Sequence, residues 1–254
     1  MTAHPLFDID GRTALVTGSS RGIGRAFAQG LLEAGCTVVM HGRDPDRVRA
    51  AADALEDDRV HHVAFDVTDA EAVAIGVEEA ETLVGPLDVL VNNVGIQHRA
   101  PLLDFPDAAW QELLDTNLTS AFLVARAVAR GMVARGRGKI VNIASVQSAL
   151  ARPGIAPYAA TKGALKMLTQ GMCADWAPAG LQINALAPGY IDTELTQALV
   201  EDAEFSRWLR ARTPAARWGT AEDLIGALLF LSSPASDFVN GHTLYVDGGM
   251  LAVV

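Results

Sequence analysis

Short apolar runs alternate with longer amphipathic stretches along the chain, and this alternation predicts its secondary structure. Seven of the apolar runs are four to six residues long and rich in Val, Ile and Leu, which is typical of strands buried on both faces. The predicted strands span residues 13–17, 36–40, 60–65, 87–91, 139–143, 181–186 and 243–246.

Apolar residues recur at helical spacing between these runs. The predicted helices span residues 23–34, 46–55, 71–83, 108–135, 156–177 and 222–231, and two shorter helices lie within 193–212. Strands that alternate with helices predict an α/β fold, in which helices cover both faces of a parallel sheet. The chain shows no internal repeat and no linker. We therefore predict one domain over residues 1–254, with a Rossmann-like, doubly wound parallel sheet of about seven strands.

The segment 190–215 is the least sheet-like part of the chain. It is rich in charged residues and contains Trp208, with Trp218 close behind it. One interpretation is a lid over a substrate site, and the other is a plain surface insertion.

The charge and composition of the chain narrow the possible partners. Its 254 residues carry a formal net charge of −10, which argues against a phosphate backbone as partner. No apolar run approaches the roughly 18 residues of a membrane span, and the N-terminus lacks a signal-peptide pattern. The two cysteines and six histidines show no metal-ligand spacing. The sequence therefore predicts a cytoplasmic protein with no nucleic-acid, membrane or metal partner.

A glycine-rich loop joins the first strand to the first helix. Gly18, Gly22 and Gly24 have the spacing G-x-x-x-G-x-G, and Ser20, Arg21 and Ile23 complete the loop. Glycines allow the backbone to approach a pyrophosphate, and the N-terminus of a helix offers free N–H groups to it. At this place in an α/β chain, the loop predicts a dinucleotide site.

The end of the second strand indicates which dinucleotide is bound. NAD-binding proteins commonly have an acidic residue there, whereas this chain has His41-Gly42-Arg43. Arg43 and Arg21 could clamp a 2′-phosphate, so we favour NADP over NAD; the alternative is two solvated arginines. Asp66, beside Val67 at the end of the third strand, is placed to bind the adenine amino group, although such a residue is also common in turns.

The segment 145–162 places Ser145, Tyr158 and Lys162 in one short window. If it is helical, Tyr158 and Lys162 lie one turn apart on the same face. A neighbouring cation lowers the pKa of a phenol, and a serine hydroxyl could hold a carbonyl oxygen. These residues form a candidate proton-transfer unit, although Y-x-x-x-K also occurs by chance.

In combination, these motifs resemble the classical short-chain dehydrogenase/reductase family. The resemblance extends to Asn92-Asn93-Val94-Gly95, to Asn117 and to Pro188-Gly189, with Val94 where the family usually has Ala. Residues 92–106, 142–164, 205–219 and 238–249 are similar to the bacterial gluconate 5-dehydrogenases, also called 5-keto-D-gluconate reductases. The resemblance implies a hydride transfer between NADP(H) and a sugar acid, most simply D-gluconate or its 5-dehydro form.

The resemblance also assigns catalytic roles. Tyr158 would be the general acid/base, Lys162 would bind the nicotinamide ribose and lower the tyrosine pKa, and Ser145 would hold the substrate oxygen. Asn117 would support a water that links Lys162 to solvent; alternatively, its side chain is satisfied by backbone.

The remaining family positions would contact the two ligands. Asn93 and Gly95 would lie beside the adenosine ribose, and Pro188, Gly189, Ile191 and Thr193 would frame the nicotinamide. The candidate substrate contacts follow the strand ends and are Gln97, Arg99, Gln147 and Tyr190, with Ser145 and Tyr158. We expect Arg99 to bind the substrate carboxylate, and Arg152 is the weaker candidate; the alternative is that both are exposed loop residues.

Two other functions stay open at the level of sequence. The first is a 3-oxoacyl-carrier-protein reductase or another ketone or polyol reductase of the same family, because arginines near residue 135 could dock an acidic carrier. The same arginines also suit the C-terminus of a helix. The second is an NADP-binding protein without turnover, which the intact Ser145, Tyr158 and Lys162 argue against. Relatives in the family imply a homotetramer.

Overall fold

A single parallel sheet runs through the protein. The structure, a computed structural model, describes residues 4–254, so residues 1–3 of the predicted domain lie outside it. The strands are β1 (Thr13–Val16), β2 (Thr37–Gly42), β3 (Val60–Ala64), β4 (Val89–Asn92), β5 (Gly138–Ile143), β6 (Leu181–Pro188) and β7 (Thr243–Val246). They lie in the order β3-β2-β1-β4-β5-β6-β7, and every neighbouring pair is parallel. This confirms the predicted fold class.

Helices cover both faces of the sheet. They are α1 (Gly22–Glu33), α2 (Pro45–Asp53), α3 (Ala70–Val84), α4 (Asp107–Leu114), α5 (Ser120–Arg135), α6 (Ala156–Trp176), α7 (Gln197–Val200), α8 (Ala203–Arg212) and α9 (Ile225–Ser232). One buried cluster packs α1 and α9 against the sheet, and a second packs α3 and α5 against its other face. The predicted alternation of strands and helices is confirmed.

The long helix predicted over residues 108–135 is interrupted. A π-helical turn, Asp115–Thr119, separates α4 from α5 and carries the buried Asn117. At the end of this turn, the backbone N–H of Ser120 donates to the carbonyl of Asp115, five residues earlier in the chain. Apolar periodicity does not reveal such a turn, because one wide turn shifts the register by only one residue. π-turns are frequent at functional sites.

The order of the strands across the sheet reverses between β1 and β4, where it changes from descending to ascending. Ligands of doubly wound sheets bind beyond the carboxyl ends of the strands at such a point. A small third cluster (Val146, Leu209, Trp218 and Met250) lies at this edge under α8. No helix within residues 4–254 is long and apolar enough to cross a membrane.

Candidate active site

A cavity of about 820 Å³ opens at the carboxyl edge of the sheet, beside the reversal between β1 and β4. Its volume is in the upper part of the range for small-molecule sites. It runs from the end of β2 past the glycine loop to α6 and the loop after β6. The predicted cofactor residues that line it are Gly18, Ser20, Arg21, Gly22, Ile23, Gly24, Arg43, Asp66, Val67, Asn93, Gly95, Tyr158, Lys162, Pro188, Gly189, Ile191 and Thr193. The structure thus brings all of them to one place, and their contact with a cofactor stays a prediction.

The glycine loop has the geometry of a phosphate cradle. Gly18 and Gly22 have φ values of +64° and +55°, which favour glycine. A Cβ at Gly24 would collide with the carbonyl oxygen of Gly18 and with the side-chain amide of Asn93. No side chain caps the N-terminus of α1, so its first N–H groups are open to an anion. The residues therefore fit a dinucleotide pyrophosphate.

Two side chains hold this loop in place. The amide Nδ2 of Asn93 donates to the carbonyls of Thr17 and Gly18 at 3.0 and 3.1 Å. The N–H of Gly18 donates to Nδ1 of the buried His41 at 3.2 Å, and Nε2 of His41 lies 3.0 Å from the carbonyl of Phe65. Because Nδ1 accepts this hydrogen bond, it carries no proton, so Nε2 carries the proton of the neutral ring and donates to the carbonyl of Phe65. Burial lowers the pKa of His41 to about 4, so the ring is neutral.

The role of His41 is not evident from the sequence. The histidines show no ligand pattern, and the only signal is the place of His41 directly after the predicted strand 36–40. In the structure it ties the glycine loop to the end of β3. Val94, where the family usually has Ala, approaches the same loop, because a Cβ at Gly18 would lie 3.0 Å from Val94 Cγ2.

At the candidate 2′-phosphate end of the cavity, the two arginines are not equivalent, although the clamp suggested by the sequence would require them to be. Arg21 pairs with Glu194 at 3.1 Å, and both side chains are exposed. Arg43 is exposed at the cavity wall, and no ion pair involves it within residues 4–254. Asp66 accepts hydrogen bonds from the backbone and hydroxyl of Thr68, which lower its pKa. Asp66 therefore makes a turn and also lines the cavity.

Tyr158, Ser145 and Lys162 meet at the inner end of the cavity. Nζ of Lys162 lies 5.8 Å from the ring centroid of Tyr158 and donates to the carbonyl of Ile143 at 2.7 Å. Burial raises the pKa of Tyr158, and a hydrogen bond with Ser145 partly opposes this. Burial also lowers the pKa of Lys162 to about 8. The expected lowering of the tyrosine pKa by Lys162 is therefore not seen: desolvation of the phenol exceeds the favourable effects of the neighbours.

Asn117 lies next to this group but does not line the cavity. Its Oδ1 accepts from the N–H of Ile96 at 2.7 Å, and its Nδ2 donates to the carbonyl of Ile96 and to Oγ1 of Thr161. A Cβ at Gly95 would lie 3.5 Å from both Asn117 Oδ1 and Lys162 Nζ. The side chain is thus satisfied by backbone, as one reading of the sequence expected, and it fixes the 95–96 loop beside Lys162.

The candidate substrate residues form two pairs beyond Tyr158. Nε2 of Gln147 donates to the hydroxyl of Tyr190 at 3.3 Å, and Nη2 of Arg99 donates to Oε1 of Gln97 at 2.6 Å. These four residues lie outside the lining of the 820 Å³ cavity. Against the effect of burial, the charge of Arg99 nevertheless lowers the pKa of both Tyr158 and Tyr190, so the two pairs face the same region.

Aromatic residues that sequence reasoning did not assign to the site cover this region. The ring of Tyr190 lies 5.5 Å from Phe205, 6.3 Å from Trp208 and 5.9 Å from Trp218, measured between centroids. Nε1 of Trp218 donates to Oγ of Ser206 at 3.1 Å, and this hydrogen bond ties α8 to the segment that carries Trp218. The tryptophans around 190–215 are the only sequence signal for this cluster.

Comparison with known proteins gives a consistent set of relatives. A family model described as enoyl-(acyl carrier protein) reductase matches residues 18–251. Gluconate 5-dehydrogenase of Gluconobacter oxydans is 56% identical over 251 residues, which cover 98% of either chain. The 5-keto-D-gluconate 5-reductase of Escherichia coli K12 is 50% identical over 253 residues, or 99% of this chain and 100% of the relative.

A solved structure shares the whole fold. It is a gluconate 5-dehydrogenase from Burkholderia cenocepacia in complex with NADP and tartrate. The TM-score is 0.96 at 56% identity, and the match covers 98% of this chain and 99% of that chain. The likeness therefore extends over both the glycine loop and the aromatic cluster.

Proposed function

Because the chain belongs to the short-chain dehydrogenase/reductase family, we propose that it is an NADP(H)-dependent oxidoreductase that interconverts D-gluconate and 5-dehydro-D-gluconate. The observation that carries this proposal is the meeting of Ser145, Tyr158 and Lys162 at the inner end of the cavity of about 820 Å³. The names of the close relatives and the NADP and tartrate of the Burkholderia structure support the cofactor and a hydroxy-acid substrate.

The cofactor would be held by groups from four strand ends. The glycine loop and the N-terminus of α1 would bind the pyrophosphate, and Arg43 would bind the 2′-phosphate. Asn93 and Gly95 would lie beside the adenosine ribose, and residues 188–193 would frame the nicotinamide. The cofactor supplies the hydride, so the task of the protein is to position it and to handle one proton.

Tyr158 would handle that proton. During reduction its hydroxyl would donate to the carbonyl oxygen of the substrate, and during oxidation its phenolate would accept the proton of the alcohol. Ser145 would hold the same oxygen and stabilise charge that develops on it. The buried Lys162, whose pKa is lowered to about 8, would bind the nicotinamide ribose, and the π-turn at Asn117 would support a water path to Lys162.

A polyhydroxylated acid suits the region beyond Tyr158. Gln97, Gln147 and Tyr190 offer hydrogen-bonding groups, and Arg99 offers a positive charge. The buried Oε1 of Gln147 has no partner in the structure, so a substrate hydroxyl could donate to it. A fatty acyl chain would instead need an apolar channel, so these polar groups favour a sugar acid over a carrier-bound acyl chain.

The segment 190–215 would act as a substrate lid within a single domain. It carries α7 and α8, and its Glu194 reaches across the cavity mouth to Arg21. An assembly of four chains would bury apolar side chains that α5 and α6 expose, such as Phe122, Val133 and Met167. A cytoplasmic location fits the two cysteines, both of which are free.

A substrate panel in both directions tests the proposal. NADPH and NADH oxidation would be followed at 340 nm with 5-dehydro-D-gluconate, L-sorbose and an acetoacetyl thioester, and the reverse reaction would be followed with D-gluconate. We expect the highest kcat/KM for the 5-dehydro acid with NADPH. A preference for the thioester would replace the proposed substrate, and no turnover with any compound would indicate a binding protein.

A further inference from the structure

Arg152 lies in the substrate region but has no part in the proposed chemistry. It is half-buried, and its guanidinium carbon lies 5.3 Å from the ring centroid of Phe205 in α8. Its Nε is buried and has no hydrogen-bond partner. A buried donor without a partner is costly unless a ligand completes it.

Arg152 and Arg99 form a positive region without a carboxylate of the protein. No ion pair within residues 4–254 involves either arginine, although the chain has 30 acidic and 20 basic residues. The nearby charge of Arg152, after burial, lowers the pKa of Arg99, so the two cations repel each other. Two converging cations in an acidic protein indicate that an anion from outside is accommodated there.

The backbone fixes the spacing of the two arginines. The N–H of Ala100 donates to the carbonyl of Gly154 at 3.2 Å, which joins the loop after Arg99 to the loop after Arg152. Gly154 has a φ of +79°, a conformation that favours glycine. The two loops therefore present their arginines as one unit.

The two arginines occupy different positions along this unit. Against the effect of burial, the charge of Arg99 lowers the pKa of Tyr158, the proposed acid/base, and that of Tyr190, whereas the charge of Arg152 lowers the pKa of Tyr190. Tyr190 and Arg152 both contact Phe205. Arg152 thus lies at the α8 end of the region, against Phe205. In 5-dehydro-D-gluconate, the carboxylate is at the opposite end of the chain from the carbonyl.

We propose that Arg152, supported on the ring of Phe205, binds the carboxylate of the substrate, while Arg99 lies nearer to the reacting carbonyl. This inference rests on the proposed function. Arg152 would thereby distinguish an acid from the neutral sugar of the same skeleton. Phe205 would be a positioning residue, because it acts only through the guanidinium that it supports.

Binding of a matched ligand pair tests this role without turnover. D-Gluconate and D-glucitol differ only in a carboxylate against a hydroxymethyl group, and neither can react with the NADPH-loaded enzyme because both are already reduced. Their dissociation constants can be measured by calorimetry. Since a charged hydrogen bond is strong, we expect Arg152→Ala to raise the dissociation constant of D-gluconate about 10- to 100-fold and that of D-glucitol less than about threefold.

Further variants separate recognition from structure. Arg152→Lys should restore part of the preference for the acid, and Phe205→Leu should reduce it by a smaller factor. Arg207→Ala removes the same charge from an exposed position on α8 and should leave both ligands unchanged. The matched substrates 5-dehydro-D-gluconate and L-sorbose should show the same pattern, mainly in KM.

Three results would overturn the assignment of Arg152. An equal loss for both ligands would make Arg152 structural, no loss would remove it from the site, and a preference abolished only by Arg99→Ala would transfer the role to Arg99. In each of these cases a wild type that still turns over the acid leaves the proposed function intact. A wild type that neither binds nor turns over the acid would instead overturn the proposed function.

Discussion

The cofactor side and the substrate side of the site are built on different principles. The cofactor side is made of backbone: glycines at positive φ, the open N-terminus of α1, and side chains such as Asn93 and His41 that hydrogen-bond to main-chain groups. The substrate side is made of side chains, with two arginines and an aromatic cluster.

The two sides also differ in how well their polar atoms are satisfied. Five buried side-chain polar atoms lack a partner in the described part of the chain. Gln147 Oε1 and Arg152 Nε are on the substrate side, whereas none belongs to the glycine loop. A complete hydrogen-bond network fixes one geometry for one cofactor. An incomplete network leaves groups that a ligand would complete, so we expect few substitutions to be needed to change the substrate.

The largest effect is expected at the boundary between the two sides. Tyr158→Phe removes the proposed proton donor but keeps the ring, so kcat should fall by about 10²- to 10⁴-fold. The dissociation constant for NADPH, measured by fluorescence, should change little. Tyr245→Phe is the control, because Tyr245 also lies near a serine, with its hydroxyl 3.3 Å from Ser148 Oγ; it should retain activity. Retained turnover in Tyr158→Phe would remove this residue from the chemistry.

The next largest effect is expected on the affinity for NADPH when the cofactor side, which we take to be rigid, is disturbed. In Gly24→Ala, the new methyl would collide with the backbone of Gly18 and with Asn93. Relief of this overlap must move the phosphate loop, so NADPH should bind about 10- to 100-fold more weakly. Gly171→Ala adds the same methyl to an exposed helical position with open space around it, and it should not affect binding. If both variants bind NADPH like the wild type, the cofactor side is more tolerant than its packing implies.

A smaller effect is expected where the cofactor side relies on a side chain. Arg43→Ala should raise the KM for NADPH about tenfold and leave that for NADH nearly unchanged, because only NADPH carries the 2′-phosphate. Arg25→Ala, on α1 outside the cavity lining, is the charge-matched control. Equal changes for both cofactors in Arg43→Ala would show that Arg43 supports the loop instead of selecting the phosphate.

The smallest effect is a pH dependence of stability that Lys162 should cause. Its native pKa is about 8 and its ordinary value is 10.5. Between these values the unfolded chain binds more protons than the native protein, so the free energy of unfolding should rise with pH across this window. Lys162→Met should show a smaller slope in denaturant titrations at pH 8 to 10. A wild-type stability that falls relative to Lys162→Met over this range would contradict the direction of the shift.

The sequence predicts the cofactor side better than the substrate side for a physical reason. A phosphate cradle needs glycines at fixed spacing after a strand, so Gly18, Gly22 and Gly24 identify it directly. The seven strands were equally visible, because strands buried on both faces leave continuous apolar runs.

Features that depend on contacts between distant segments were not visible. His41 acts through Gly18 and Phe65, and the stack on Phe205 joins α8 to a loop some fifty residues earlier. No local pattern encodes such pairs. The raised pKa of Tyr158 was missed for the same reason, because burial depends on what the rest of the chain places around the phenol.

The strand order also bears on how the protein is made. β1 is completed on one side by β2 and on the other by β4, where Ala14 pairs with Val89. During synthesis one edge of β1 therefore stays unpaired until β4 has left the ribosome. Exposed strand edges favour association with other chains, and such distant pairings form slowly. We expect nascent chains that stop before residue 89 to be the form that depends most on chaperones.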